Sequence, residues 1–576
     1  MDNTLFMNVK KLYDYELYSE VLMLANILQT VFKNDRSILT QEQEYQLLLF
    51  QANSAFIERK YNTAAKYFKD VIETRKSLQR SKAASLILIE QAYEHFSDTE
   101  SKYRFAICLK EMQLPKKAIF VLHSIKNKSP KMNYLLGKLQ HVYGTDDNSA
   151  THSYKEVLFE CPLALDTIKC LLEIGVNGHE VNSIIINACS SPQCSDWLAS
   201  WIKGYDLLFN CKLTEATETF KTINQNSKLR NNDKLLSLIG ECYFYNDNSD
   251  MALNYLSQAY MTNPQMTDGI MALSILYAKK NKFQELEKLA TPQMPIIEYS
   301  SENWFVAAQH LKAEDKHDKH SKAIYFLQKA IAENPRNFEA HLLKGLIFCQ
   351  LKKLNIALTC LKTAQSLARY RFETYKALTH CFSALGRLRH AQTMAAHSIR
   401  SFKNDPRSYV LLARALMLSK DPTGKKKAKS FIDKALALDE YNYQAVQLKV
   451  EILQQEGETG EAIKLLRKQV SYHPNCWLYS VLGDLLSTEN DMEGALDNYT
   501  TALNMDPTNS QALAGLNAIG NPSARNANKQ PDSYTTPSLD EVVEYPSFEL
   551  VEISPANEAE SETELFWSDI DAELNQ

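Results

Sequence analysis

The sequence predicts an all-α chain, an α-solenoid superhelix of about fourteen helix pairs with a disordered acidic carboxy-terminal tail. Three observations lead there. Gly and Pro number 16 and 17 of 576 residues, each about 3% of the chain against ~7% and ~5% in an average protein, so tight turns are scarce. A fixed spacing of small and bulky residues recurs along most of the chain. Charge is divided: no Lys or Arg follows Lys529, whereas thirteen Asp and Glu run from Asp532 to Glu573.

The repeat is plainest near its end, in Tyr479, Leu482, Gly483, Leu486, Ala495, Tyr499, Ala502 and Pro507. A second copy reads Leu236, Ile239, Gly240, Tyr243, Ala252, Leu256, Ala259, Pro264, and a third Phe105, Ala106, Leu109, Ala118, Leu122, Ile125, Pro130. In each, the first small residue and the Ala of the second helix are twelve apart. Ala52, Ala55, Ala64 and Phe68 keep the same frame, and Gly345 holds the small position of its own copy. Three copies lengthen the turn between their helices: Trp304–Ala308–Ala323–Ala330–Pro335, Tyr409–Ala413–Ala428–Ala435 and Leu136–Gly137–Ala150–Tyr154–Pro162. Small residues belong where two helix axes approach most closely, bulky ones fill the gaps, and Pro stops the second helix because it cannot continue the hydrogen-bond ladder.

This is the tetratricopeptide (TPR) pattern, a 34-residue helix–turn–helix. Continued at the same spacing it gives about fourteen pairs between residues 5 and 509, with the weakest copies at 5–40, 164–195 and 267–300. Residues 79–98 read as an inserted helix or loop, and Ser510 to Ile519 as a capping helix. Three regions follow: 1–165, an amino-terminal repeat region suited to homodimerisation; 166–520, the central and carboxy-terminal superhelix; and 521–576, a tail too polar and acidic to fold alone. Within that tail Leu565, Phe566 and Trp567 form a short apolar cluster suited to docking on a partner.

Enzyme signatures are missing from the sequence. There is no G-x-G, no Walker lysine after a suitable glycine, no C-x-x-C, no H-E-x-x-H and no G-x-S-x-G. Cys189 and Cys194 lack a second pair, and His317 and His320 in KHDKH fall in an extended inter-helix turn, so no metal and no cofactor is expected. The eleven cysteines sit within helical pattern and read as reduced core residues. No stretch nears the ~18 apolar residues of a membrane span, and no secretory signal begins the sequence. A body of 64 basic and 56 acidic residues is too dilute in positive charge for nucleic acid.

The concave face of such an array is lined by first-helix residues. Here these include Tyr103 and Ile107, Ser237 and Glu241, Leu342 and Leu346, Lys376 and His380, and Val410 and Arg414. The chemistry does not repeat from copy to copy, as base-by-base reading of RNA would require. Lys376, His380 and Arg414 make a faint version of a carboxylate clamp for a peptide end. Lys425, Lys426 and Lys427 fall in an inserted turn, as a solvated loop or a nuclear-targeting patch. Thr536-Pro537 and Ser554-Pro555 are candidate proline-directed phosphorylation sites.

Beyond generic TPR character the sequence resembles one family, subunit seven of the anaphase-promoting complex. The resemblance lies in YQLLLFQANSAF (45–56), SYKEVLFECPLALDTI (153–168), DWLASWIKGY (196–205), KAKSFIDKALALD (427–439) and VLGDLLSTENDMEGALDNYTTALNMDP (481–507). ECPLALD is the most telling, because the TPR consensus does not dictate it. The resemblance runs from about residue 45 to 515; the first forty residues and 79–98 match less well. It implies a structural subunit of a cullin-RING-type ubiquitin ligase acting at mitotic exit. It also implies an amino-terminal V-shaped homodimer, and carboxy-terminal repeats stacked on other TPR subunits. Ligase chemistry is implied on a different chain, leaving no catalytic residue to assign, and a nuclear and cytoplasmic location is expected. A co-chaperone or peptide-binding adaptor is the alternative, marked by a clamp across two adjacent repeats.

Overall fold

A computed structural model describes residues 2–35, 38–79, 83–144, 147–188, 196–291, 300–313, 317–418, 422–472 and 474–520. These contain thirty α-helices, numbered α1 to α30 in chain order, and no strand. Twenty-eight of the helices form fourteen antiparallel pairs; the other two are the inserted α5 (Ala83–Gln91) and the closing α30 (Ser510–Gly520). The chain divides into two compact units, one ending at Ala340 and one beginning at His341. The first holds α1 to α19, and the second is built from α20 (Phe338–Gln350) onward. No described helix is long and apolar enough to cross a membrane.

One turn explains the constant spacing. In eleven of the fourteen pairs a single residue between the helices takes positive φ: Glu16, Arg59, Gln113, Gly175, Cys211, Asp247, Asn281, Lys352, Gly386, Gly457 and Asn490. A left-handed residue ends the first helix and lets the second fold back within a few positions. Eight of the eleven are not glycine, although the left-handed region costs an L-residue roughly 1–2 kcal/mol; helix packing on either side imposes the turn, and the chain needs few glycines. The remaining three pairs are those with lengthened turns. In two of them the added residues extend the second helix. Both α19 (His317–Glu333) and α25 (Pro422–Leu438) run 17 residues, against 14 in α29 (Met492–Met505). His317, His320 and Lys425 to Lys427 therefore lie in helix, not in the expected turns. Pro422 occupies the first helical position of α25, where its missing N–H is not needed.

Within a pair the small positions meet the large ones. A Cβ on Gly483 would lie 2.7 Å from the ring of Tyr499, and one on Gly240 would lie 2.6 Å from Leu256. Gly137 meets Tyr154 and Gly345 meets Leu361 in the same way. Ala52, Ala64, Phe68, Ala106, Ala118, Ala252, Ala259, Ala308, Ala323, Ala495 and Ala502 are all fully buried. Pro162, Pro264, Pro335 and Pro507 each stand two residues beyond the end of a second helix, whereas Pro130 opens α8 (Pro130–Tyr143).

At the amino-terminal end the pattern is less regular. The first pair, α1 (Asp2–Asp14) and α2 (Tyr18–Asn34), packs on α3 (Gln41–Ile57), whose residues Leu47 to Ala55 are buried on every side. A capping box between Thr40 and Gln43 starts α3. Segment 83–96 adds α5 and a 3₁₀ turn, Glu94–Phe96, which fold back over α1 and α3. Phe50 sits among the rings of Phe6, Tyr13, Tyr93 and Phe96, its centroid 4.7 Å from Tyr13. Tyr13 hydrogen-bonds His95, and Tyr93 donates to Asp14. Arg75 of α4 (Tyr61–Gln79) holds Glu90 at 2.6 Å, and Tyr45 donates to the same carboxylate.

Candidate interaction surfaces

In the first unit the inner face is charged and internally paired. Lys169 and Glu173 come from α10 (Leu165–Ile174), Tyr205 from α12 (Asp196–Phe209) and Glu241 from α14 (Asp233–Tyr245). Burial works against the Lys169 ammonium, but Tyr205, Glu241, Asp268 and Glu173 more than offset it and hold its pKa above the usual lysine range. Burial also pushes the Glu241 carboxyl up to about 7, against the pull of Lys169 and a hydrogen bond from the Gly269 backbone. Arg336, between α19 and α20, reaches back across many repeats. Its Nη2 donates to Glu173 Oε1 at 2.7 Å and its Nη1 to the His141 carbonyl at 3.3 Å. These contacts join positions 163 and 195 residues apart, so this unit's winding returns onto itself. Glu241 was placed on the inner face by its helix position; Lys169, Glu173 and Arg336 were not, because no local spacing records a contact made by superhelical winding.

In the second unit the candidate clamp is open. Lys376 and His380 on α22 (Phe372–Ala384) and Arg414 on α24 (Pro406–Met417) are all exposed. Burial raises the pKa of Glu451 on α26 (Tyr443–Glu456), and Arg414 opposes that rise. Arg414 therefore already has a carboxylate in its field, and a peptide carboxylate would have to compete with it. Ser237, Leu342 and Val410, the leading positions of their pairs, are buried by packing, whereas Lys376, at the same position of its own pair, is exposed.

The first pair carries an apolar surface of its own. Its inner residues Phe6, Val9, Tyr13, Val21, Ala25 and Leu28 are buried, but Tyr15, Met23 and Ile27 stay 76%, 64% and 59% exposed. Met23 and Ile27, four apart on α2, share one face. Tyr15 lies in the turn between the two helices, and exposed hydrophobics taken singly need no explanation.

Among the described residues no cluster of three or more His, Cys, Asp or Glu could hold a metal. His320 is buried; Cys189, Cys194, Thr536 and Ser554 lie outside the described residues. Burial pushes the Cys108 thiol up to about 12 and the Cys170 thiol up to about 11, so these two are protonated side chains of the packing.

Fold and surfaces together define a helical-repeat scaffold of the TPR class, with its features spread along a superhelix. No family model matches the chain. A mouse protein, anaphase-promoting complex subunit 7, is 31% identical over 507 residues, covering 87% of this chain and 89% of that one. The human subunit 7 is 31% identical over 508 residues with the same shares, and the Arabidopsis thaliana subunit 7 is 23% identical over 529, covering 89% and 93%. The chain therefore belongs to the anaphase-promoting complex subunit 7 family. The crystal structure of the APC/C hetero-tetramer Cut9–Hcn1 superposes with a TM-score of 0.55 over 90% of this chain and 96% of that one, at 13% identity, a likeness of fold alone.

Proposed function

We propose that this chain is a non-catalytic TPR scaffold subunit of the anaphase-promoting complex ubiquitin ligase, organising protein–protein contacts for cell-cycle-regulated ubiquitination. The observation that carries the reading is similarity to subunit 7 along most of the chain, at 31% identity over 87% of it. The architecture fits it: helix pairs run through the described residues from Asp2 to Met505. A solenoid of this kind offers long surfaces to other proteins. Its partners in this reading are other TPR subunits of the complex, with no nucleic acid and no membrane, and it acts in the nucleus and cytoplasm.

Tagged protein purified from dividing cells should recover other TPR proteins and a cullin-like subunit. Recovery of chaperones alone would favour a co-chaperone adaptor. The isolated chain should fail to discharge ubiquitin from a charged conjugating enzyme, and any discharge would overturn the non-catalytic reading.

The same reading includes a homodimer through the first pairs. Its support is the exposed Tyr15, Met23 and Ile27 of the first pair; a two-fold contact would use this one surface twice. Met23→Asp with Ile27→Asp should convert a dimer to a monomer in light scattering with helicity unchanged. A full-length chain already monomeric at micromolar concentration would remove the homodimer from the proposal.

A further inference from the structure

The last two helix pairs carry a cleft that the packing of the solenoid does not fill. Its volume is about 470 Å³, and its walls include Tyr441, Tyr443, Val446, Leu478 and Met505. The aromatic side chains around it are paired edge to face or tilted: Tyr441 and Tyr472 lie 4.7 Å apart, and Tyr443 and Trp477 lie 5.2 Å apart at 76°. Tyr443, Tyr472 and Met505 are 41%, 58% and 48% exposed, an unusual cost for one small area of surface. Ring faces beside a methionine suit one or two bulky apolar side chains in an extended segment.

We infer that the cleft is a docking site for the chain's own tail, and that residues Leu565, Phe566 and Trp567 occupy it. Three observations select that occupant. The first is where the described chain ends. Asn509 donates from Nδ2 to the sulfur of Cys476 at 2.7 Å, and Cys476 lines the cleft. From there α30 runs only 11 residues, about 16 Å at 1.5 Å per residue, so the described chain ends within roughly 20 Å of that contact. The second is reach: more than forty residues separate Gly520 from Leu565, and at up to ~3.3–3.6 Å per residue a linker of that length can return to the cleft, where tethering raises the segment's effective concentration. The third is composition. Leu565-Phe566-Trp567 is the only run of three adjacent bulky apolar residues after Gly520, whereas the stretch around Tyr545 and Phe548 is broken by Glu544, Pro546 and Glu549. Two adjacent rings match a cleft whose walls include Tyr441 and Tyr443, where edge-to-face contacts reward them.

The test uses the full-length chain with a photo-reactive residue, Trp567→p-benzoylphenylalanine, irradiated and mapped by peptide mass spectrometry. Crosslinks should fall on 441–446, 469–478 or Met505. Met505→Lys, at an exposed position, should cut their yield at least five-fold with helicity unchanged. Leu565, Phe566 and Trp567 replaced together by Ala should raise hydrogen exchange at 441–446 and 474–478, a change that cannot arise from misfolding of the repeats. Crosslinks elsewhere, crosslinks to the cleft from position 545 but not 567, or heavy–light crosslinks in a mixture of isotope-labelled chains would each overturn the assignment.

Discussion

The two ends of the molecule solve the same problem differently. At the carboxy-terminal end α28 (Cys476–Thr488) and α29 pack as the consensus dictates. Gly483 admits the Tyr499 ring, Tyr499 donates to Asp484 at 2.6 Å, and α30 covers the last pair. At the amino-terminal end the contacts are peculiar to this chain: five rings gather around Phe50 and Tyr13, and an inserted segment is tied back to the first helix through His95 and Tyr93. A repeat stacked on a neighbour can rely on the shared pattern. A terminal pair without one needs side chains of its own to hold it, and these carry no periodic signature.

The largest expected effect therefore lies at the amino-terminal end. Phe50 is fully buried and touches α1, the 3₁₀ turn and its own neighbours at once. Phe50→Ala should cost roughly 3–5 kcal/mol, the range for a large aromatic removed from a core. Urea denaturation followed by hydrogen exchange should show Asp2–Asn34 and 83–96 opening together. If the first pair and the inserted segment open separately, Phe50 does not couple them.

Overpacking the other end should cost less. Gly483→Leu drives a side chain into the Tyr499 ring, and misfit of this kind typically costs ~1–3 kcal/mol. The expected result is faster amide exchange over Cys476–Met505, with the amino-terminal pairs unchanged. Uniform change along the chain would mean that the pairs do not act as nearest-neighbour units.

These two outcomes bear on what was legible in the sequence. Helix pairs, their number, the inserted element and the closing helix could all be read, because pair after pair repeats the demand for a small residue facing a large one sixteen or seventeen positions later. The three lengthened turns were visible as well, but their polar residues, KHDKH and the Lys425–Lys427 run, read as loop when the chain makes them helix. Composition describes exposure, and a helix face turned to water looks the same as a turn. The close approach of Gly204 to Phe220 follows the same spacing of sixteen and was within reach of the same argument. Arg336 on Glu173 was not. That contact depends on small rotations accumulated over several pairs, which no single repeat encodes.

Acidity should separate the two ends in opposite directions. Burial lowers the pKa of His95, with Arg104 adding to the effect. The folded chain then binds that proton less readily than the unfolded one, so His95's contribution is present above ~6.5 and lost as pH falls below it. Burial raises the pKa of Asp484, against hydrogen bonds from Tyr499 and Gln511. Its contribution is present at low pH and lost as pH rises past the usual carboxylate range. From pH 7 to 5, exchange corrected for its intrinsic rate should quicken over Asp2–Asp14 and 94–96 but not over Cys476–Met505. His95→Gln should flatten the first response and Asp484→Asn the second.

The smallest effect belongs to a surface ion pair that looks strong on distance alone. Lys429 on α25 reaches Glu456 at 2.7 Å and Glu458 at 3.6 Å. Yet these side chains are 36%, 42% and 47% exposed. Water screens the attraction, and fixing long side chains in one geometry costs entropy, so such pairs contribute about 0.2–1 kcal/mol. Arg75 with Glu90, at 19% and 15% exposure, is the more sheltered counterpart and anchors the inserted segment at the other end. Lys429→Ala should therefore shift stability by less than about 1 kcal/mol at low ionic strength, and the difference should vanish near 1 M salt, where the screening length falls to ~3 Å. Arg75→Ala should cost more and keep its cost in salt, because it leaves Glu90 facing Asp98 and the Tyr45 hydroxyl without its cation. Equal and equally salt-sensitive losses at the two sites would show that the inserted segment is held by its rings alone.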